Sequence, residues 1–159
     1  MDEILEILEK NCRYSEEQIA VMTGKSVQEV HETIAKYEKD NVIAGYKALI
    51  NWSKVGDENI TALIEVKVTP QRGEGFDKVA ERIYRFPEVN ACYLMSGSFD
   101  LCVIIEGSSM KEVAYFVAEK LAPLESVQST ATHFVLKKYK DKGTVFDDKP
   151  KDDREAVFI

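Results

Sequence analysis

Residues 15–40 read SEEQIAVMTGKSVQEVHETIAKYEKD, and this stretch decides the first half of the fold. It holds two serines, each followed three residues later by a side chain that can reach back: Ser15 with Gln18, and Ser26 with Glu29. A helix starts with four N–H groups that have no partner inside it. A serine hydroxyl and a Gln or Glu at this spacing satisfy two of them reciprocally. The spacing therefore predicts one helix over residues 16–22, burying Ile19 and Ala20 with Met22 at its edge, and a second from Val27 to about Asp40. Thr23-Gly24 ends the first, since glycine accepts the left-handed backbone that closes many helices. In the second, Val27, Val30, Ile34 and Tyr37 fall on one stripe that faces a core. Two helices joined by a short glycine turn make a helix-turn-helix.

Upstream, MDEILEILEK predicts another helix over residues 2–12, with Ile4, Leu5, Ile7 and Leu8 inward and Glu3, Glu6, Glu9 and Lys10 outward. Downstream, VIAGYKALINW (42–52) is apolar with a central glycine and predicts two short strands turning near Ala44-Gly45, a wing or hinge strand. The rest predicts strand, helix, strand, strand, helix, strand. Residues 60–68 alternate, with Ala62, Ile64, Val66 and Val68 on one face. PQRGEG (70–75) is a loop. A helix follows over 76–86, burying Phe76, Val79, Ala80 and Ile83, with Tyr84 at the margin of that face. Strands over 89–95 and 101–106 flank the Ser96-Gly97-Ser98-Phe99 hairpin, a helix spans 109–121, and a last strand spans 127–139. This is the split βαβ, ferredoxin-like order. The fold class is α+β: an N-terminal winged helix-turn-helix (1–52), a ferredoxin-like βαββαβ domain (58–140) and a charged tail (141–159) whose apolar end is suited to docking.

The composition narrows the function classes. With 45% hydrophobic and 31% charged residues in 159, the chain can fill two small cores. No run approaches the ~18 apolar residues of a membrane span. The acidic start is not a secretory leader, so a cytoplasmic protein is expected. Cys12, Cys92 and Cys102 lie in no C-x-x-C pair and read as reduced, buried thiols. Only two histidines occur, His31 and His133, in different domains. Without a nucleophile–base pair, metal-ligand spacing or a phosphate loop, neither an enzyme, a cofactor nor a metal is expected.

In a helix-turn-helix the second helix enters the major groove with its N-terminal half, while flanking basic groups hold phosphates. Opposite the apolar stripe lie Gln28, Glu32, Ala35, Lys36 and Lys39, flanked by Glu29 and His31. Gln28 suits an adenine edge, Glu32 a cytosine amino group, and Lys36 a guanine or phosphate. Lys25, Ser26, Lys47 and Lys54 are further candidates at the helix start and beyond. The net charge of −7 weighs against DNA binding, because affinity comes from cations on phosphates. A helix with three lysines against Glu29, Glu32, Glu38 and Asp40 could also be a solvated face.

With these elements in order, the chain resembles the Lrp/AsnC family of leucine-responsive and asparagine-operon regulators. The likeness is carried by IAVMTGKSVQEVHETIAKYEKDNVIAGYKALINWSKVG (19–56), by GSFDL (97–101), near the family's G-x-Y-D, and by VAEKLAPLESVQSTATHFVLKKYK (117–140). It covers nearly the whole chain. Departures are Glu32 and Thr33 where family members often carry arginines, Phe99 for the usual tyrosine, and the acidic extension after Asp141. The resemblance implies a homodimer built through the C-terminal sheets, assembling to a higher oligomer such as an octamer, and a two-fold symmetric duplex DNA site. It also implies an amino acid or similar metabolite as effector, in clefts lined by Gly97, Ser98, Phe99, Asp100, Thr130 and Thr132. Asp100 fits an ammonium group, although an aspartate there can equally cap its own turn. Binding would then switch the assembly. A stand-alone amino-acid sensor that has lost DNA binding stays open as an alternative. So does a tetrapyrrole decarboxylase of similar build, which two histidines serve poorly.

Overall fold

The structure is a computed structural model that describes residues 2–56, 59–69 and 75–146. The chain divides into two compact units, residues 1–50 and 51–159, each with its own core.

In the first unit, helix α1 (Glu3–Lys10) is capped by Asp2, whose Oδ1 accepts from the Ile4 N–H at 2.9 Å. Helices α2 (Glu16–Thr23) and α3 (Val27–Lys39) both begin with complete capping boxes. Gln18 Oε1 accepts from the Ser15 N–H at 2.9 Å, and Glu29 Oε2 from the Ser26 N–H at 2.8 Å. Between them Gly24 sits at φ +67°, where a Cβ would be strained. Asn41 closes α3 at φ +54°. There the Val42 N–H donates to the Tyr37 carbonyl at 2.8 Å and the Asn41 N–H to Glu38, which satisfies two of the last carbonyls. Ile4, Ile19, Ala20 and Val30 form the core, with Ile7, Leu8 and Ile34 packed against it.

Two inward assignments fail here. Val27 is 42% exposed and Met22 52%. Both lie at helix ends nearest the turn, beyond the reach of the three-helix core, so the period alone misplaces them. Cys12 is also exposed, against the expectation of a buried thiol.

Tyr37, on the expected stripe, does more than pack. Its hydroxyl donates to Asp2 Oδ2, joining the start of α1 to the last turn of α3. That bond is the main reason the Asp2 carboxyl is held below its ordinary range, with burial opposing. A carboxyl lowered on folding stabilises the fold above its unfolded value, and the gain is lost as pH falls through the folded value. Tyr37→Phe is expected to cost about 1 kcal/mol at neutral pH, as a hydrogen bond to a partly exposed charge does. The difference from the wild type should vanish in acid, and urea melts at several pH values would show it.

The predicted wing strands do not form: residues 44–50 are neither helix nor strand. A strand needs a neighbour to take its N–H and C=O groups. This segment leaves Tyr46, Leu49 and Ile50 exposed at 42–47%. One tether is present, from the Tyr46 hydroxyl to Glu38 Oε1 at 3.0 Å.

In the second unit a short 3₁₀ turn (Trp52–Lys54) precedes β1 (Ile60–Val68), α4 (Asp77–Tyr84), β2 (Val89–Leu94), β3 (Leu101–Gly107), α5 (Met110–Phe116) and β4 (Val127–Phe134). The strands form one sheet in the order β2-β3-β1-β4, with β3 antiparallel to β1 and β2, and β4 antiparallel to β1. This is the expected ferredoxin-like arrangement. Ala62, Ile64, Val66 and Val68 alternate into a core with Leu101, Val103 and Ile105, covered by Val79, Ile83, Val113, Phe116 and Leu121 from the helices. Tyr84 is 56% exposed, on the outer side of α4, and does not join it. Helix α5 widens into a π-helical turn over Val117–Leu121.

The last strand ends at Phe134, short of the expected Tyr139. A small hairpin follows, β5 (Lys140–Asp141) with β6 (Thr144–Val145), where a tail was expected from 141. Lys142 and Gly143 both take positive φ, the turn that two-residue hairpins favour. The loop at 70–74 and the docking tail at 147–159 lie outside the described residues.

Candidate nucleic-acid interface and ligand site

The side chains of α3 opposite its apolar stripe face solvent. Lys25, Ser26, Gln28, His31, Glu32, Lys36 and Lys47 are all exposed. Their roles divide. Ser26 is engaged as the cap, with its hydroxyl 2.7 Å from Glu29 Oε2. Gln28 Nε2 donates to Glu32 Oε1 at 2.7 Å, so the pair expected to read bases is joined along the helix. Thr33, one of the two departures from the family pattern, turns its hydroxyl to the Glu29 carbonyl at 2.7 Å. Val27 is the residue that sequence reasoning missed: exposed at the N-terminal end of α3, it suits a thymine methyl.

His31 faces sideways to α2, with Nδ1 3.0 Å from Glu16 Oε1. The Glu16 contact holds the imidazole above its ordinary pKa, with the charges of Glu16, Glu32 and Glu38 adding. A histidine raised in this way contributes stability that is full below its unfolded pKa and is lost as pH rises through the folded value. We expect the ring of His31 to titrate above an unperturbed histidine by NMR. Glu16→Gln should bring the midpoint down, and an unmoved midpoint would rule the pair out as the cause.

In the second unit, Gly97, Ser98 and Phe99 form the turn between β2 and β3, and Asp100 closes it. The Met95 N–H donates to the Asp100 carbonyl at 2.8 Å, and the Asp100 N–H to the Val66 carbonyl at 3.1 Å. Asp100 Oδ2 accepts from the Val68 N–H at 2.9 Å. That N–H lies where the β1–β4 register shifts between Lys67 and Val68 and the regular ladder is interrupted. Thr130 and Thr132 pair with Val66 and Ile64 across β1, on the helix-covered side of the sheet. Asp100 and Thr130 thus flank the same end of β1, but from opposite sides. They are separated by roughly 10 Å, two strand spacings. Within one chain the hairpin and the threonines line two edges around β1.

On the open side of the sheet Leu63, Ile104, Ala91, Tyr93 and Ala131 lie beside Cys102 and a His133–Glu65 pair at 3.3 Å. Burial pushes the Cys92 and Cys102 thiols up, which keeps them protonated and unreactive. Among the described residues, no group of three or more His, Cys, Asp or Glu side chains is placed to hold a metal ion. No helix there is long and apolar enough to cross a membrane.

The family model for the Lrp/AsnC ligand binding domain matches residues 61–145, and that for a winged helix-turn-helix DNA-binding domain matches residues 3–44. The chain belongs to the Lrp/AsnC family. It is a DNA-binding transcription regulator, and the α3 face and the β2–β3 hairpin sit in the two regions these models cover. An HTH-type transcriptional regulator of Bacillus subtilis strain 168, YugG, is 58% identical over 156 residues, covering 98% of this chain and 94% of its own. Two solved structures share the fold. A transcriptional regulator of Neisseria meningitidis in complex with L-Met has a TM-score of 0.71 at 23% identity, covering 89% of this chain and 93% of that one. A feast or famine regulatory protein of M. tuberculosis complexed with L-methionine has a TM-score of 0.69 at 21% identity, covering 87% and 90%. Within this Lrp/AsnC chain the turn-helix half carries the exposed α3 side chains, and the sheet half carries the hairpin carboxylate.

Proposed function

We propose that this regulator reads a two-fold symmetric DNA site as a homodimer or a higher oligomer such as an octamer, and that an amino acid alters that assembly. The observation that carries the reading is the α3 face: a capping box fixes the start of the helix, and its N-terminal half presents Val27, Gln28, His31 and Glu32 to solvent. Lys25, Lys36 and Lys47 supply phosphate contacts. The Leu63, Ile104 and Ala91 patch on the open side of the sheet supports pairing of sheets between chains, and the exposed run around Leu49 and Ile50 gains strand partners in such an assembly. The L-methionine complexes of two fold relatives support an amino acid as effector. Gly97, Ser98, Phe99 and Asp100 from one chain then face Thr130 and Thr132 of another. DNA binding and ligand sensing divide at about residues 52–58, no catalysis is involved, and the protein works in the cytoplasm.

The joined Gln28–Glu32 pair and the back-bonded Thr33 favour a second reading, an amino-acid sensor without strong DNA binding. Fluorescence anisotropy with duplex from upstream of the protein's own gene separates the two, at about 50 and 200 mM salt, with and without L-methionine and other amino acids. Salt-sensitive binding that one amino acid shifts establishes the regulator. Absence of binding at low salt establishes the sensor.

A further inference from the structure

The first unit is short of the charge that DNA binding needs: residues 1–50 carry ten acidic against six basic side chains. The positive charge is concentrated elsewhere. Residues 137–142, KKYKDK, place four lysines and one aspartate in six positions of a chain whose net charge is −7. All four lysines are exposed, at and around the β5–β6 hairpin.

The hairpin holds these charges outward. The Phe146 N–H donates to the Tyr139 carbonyl at 2.8 Å and closes its base. Lys138 pairs with Asp141 at 3.3 Å and lies 5.7 Å from the centre of the Phe146 ring, bracing the strand. Lys137 lies 5.1 Å from the centre of the Tyr139 ring, and that ring is itself 71% exposed. Lys142 occupies the tip of the turn at φ +44°, beside Gly143. Lysine ammonium groups are point charges. They suit phosphate oxygens in any sequence rather than the paired acceptors of a base edge.

We infer that the β5–β6 hairpin is a second DNA contact, one that grips the phosphate backbone of the bound duplex without reading its sequence. The inference rests on the DNA-binding reading proposed above. It accounts for how a chain with an acidic turn-helix unit obtains the counterion release that duplex binding requires.

The test uses the full chain and the triple variant Lys137→Gln/Lys140→Gln/Lys142→Gln, which leaves the Lys138 brace intact. Two fluorescent duplexes of about four helical turns serve as probes, one from the upstream region and one of scrambled sequence. Each phosphate that a lysine no longer neutralises lowers the slope of log affinity against log salt by about 0.9. If at least two of the three lysines sit on phosphates, the slope should fall by about 2 on both duplexes alike. The wild type should then lose about tenfold more affinity than the variant between about 50 and 200 mM salt. Circular dichroism and sedimentation should not change. Unchanged slopes would overturn the contact, as would a loss confined to the upstream duplex. A changed assembly size with DNA binding intact would assign the hairpin to another copy of the chain instead. If the wild type bound neither duplex, the regulator reading would fall first, and this contact with it.

Discussion

Ile19→Ala is expected to abolish DNA binding at 37 °C while leaving the sheet unit folded. Ile19 is 1% exposed and packs with Ile4, Ala20 and Val30, the only fully buried core of the first unit among the described residues. Truncating a buried isoleucine to alanine costs about 2–5 kcal/mol, from lost transfer energy and the cavity left behind. A unit of about fifty residues buries too little surface to hold a reserve much larger than that. The change therefore removes the platform on which α3 is presented, though Ile19 itself faces away from any duplex. The sheet unit is fastened by a separate and larger core around Ile64, Val66 and Val103, so its melting should persist. Val21→Ala on the same helix is the control. Val21 is 85% exposed, and its loss should stay within about 0.5 kcal/mol. Thermal melts by circular dichroism, paired with anisotropy at 25 and at 37 °C, would check both. If Ile19→Ala bound DNA like the wild type, the small core would not set the unit's stability.

What was legible in the sequence was local. Ser15 with Gln18 and Ser26 with Glu29 lie within one helical turn of each other, and both boxes form as read. The alternation of Ala62, Ile64, Val66 and Val68 states its own face, and that face is buried. The errors arise where a residue's fate depends on something distant. Residues 42–52 have strand composition, but composition cannot supply the neighbouring strand. Val27 keeps the helical period yet sits past the edge of the core. The Asp141–Gly143 turn was hidden because charge alone made the segment look like a tail, although Lys142-Gly143 is a turn signal. The candidate sites divide in the same way. Exposure of the α3 face follows from its period. The bonds that constrain it do not all follow, since His31 and Glu16 are fifteen residues apart. Asp100 is the clearest case: its bond to the Val68 N–H spans thirty-two residues and appears only when the hairpin folds back on β1.

That bond sets the design of the remaining test, because it gives Asp100 a structural duty beside its proposed role with an amino-acid ammonium group. Asp100→Ala would remove both. The Val68 N–H sits where the ladder is interrupted, and stripped of its acceptor it costs about 1–3 kcal/mol. Lost ligand response in that variant would not separate the two duties. Asp100→Asn does separate them. Its side-chain carbonyl can accept from Val68 in the place of Oδ2, while the negative charge is gone. A charge-assisted bond to an ammonium contributes about 1.5–3 kcal/mol, which corresponds to about 10–100-fold in affinity. Asp100→Asn is therefore expected to weaken L-methionine, or whichever amino acid shifts DNA binding, by about that factor, with melting temperature unchanged. Asp100→Ala should lower both affinity and melting temperature. Calorimetric titration of the three proteins would measure the first, and differential scanning calorimetry the second. If Asp100→Asn bound the amino acid like the wild type while Asp100→Ala did not, Asp100 would be a brace for the hairpin alone. The ammonium partner would then have to be sought on another residue of the cleft.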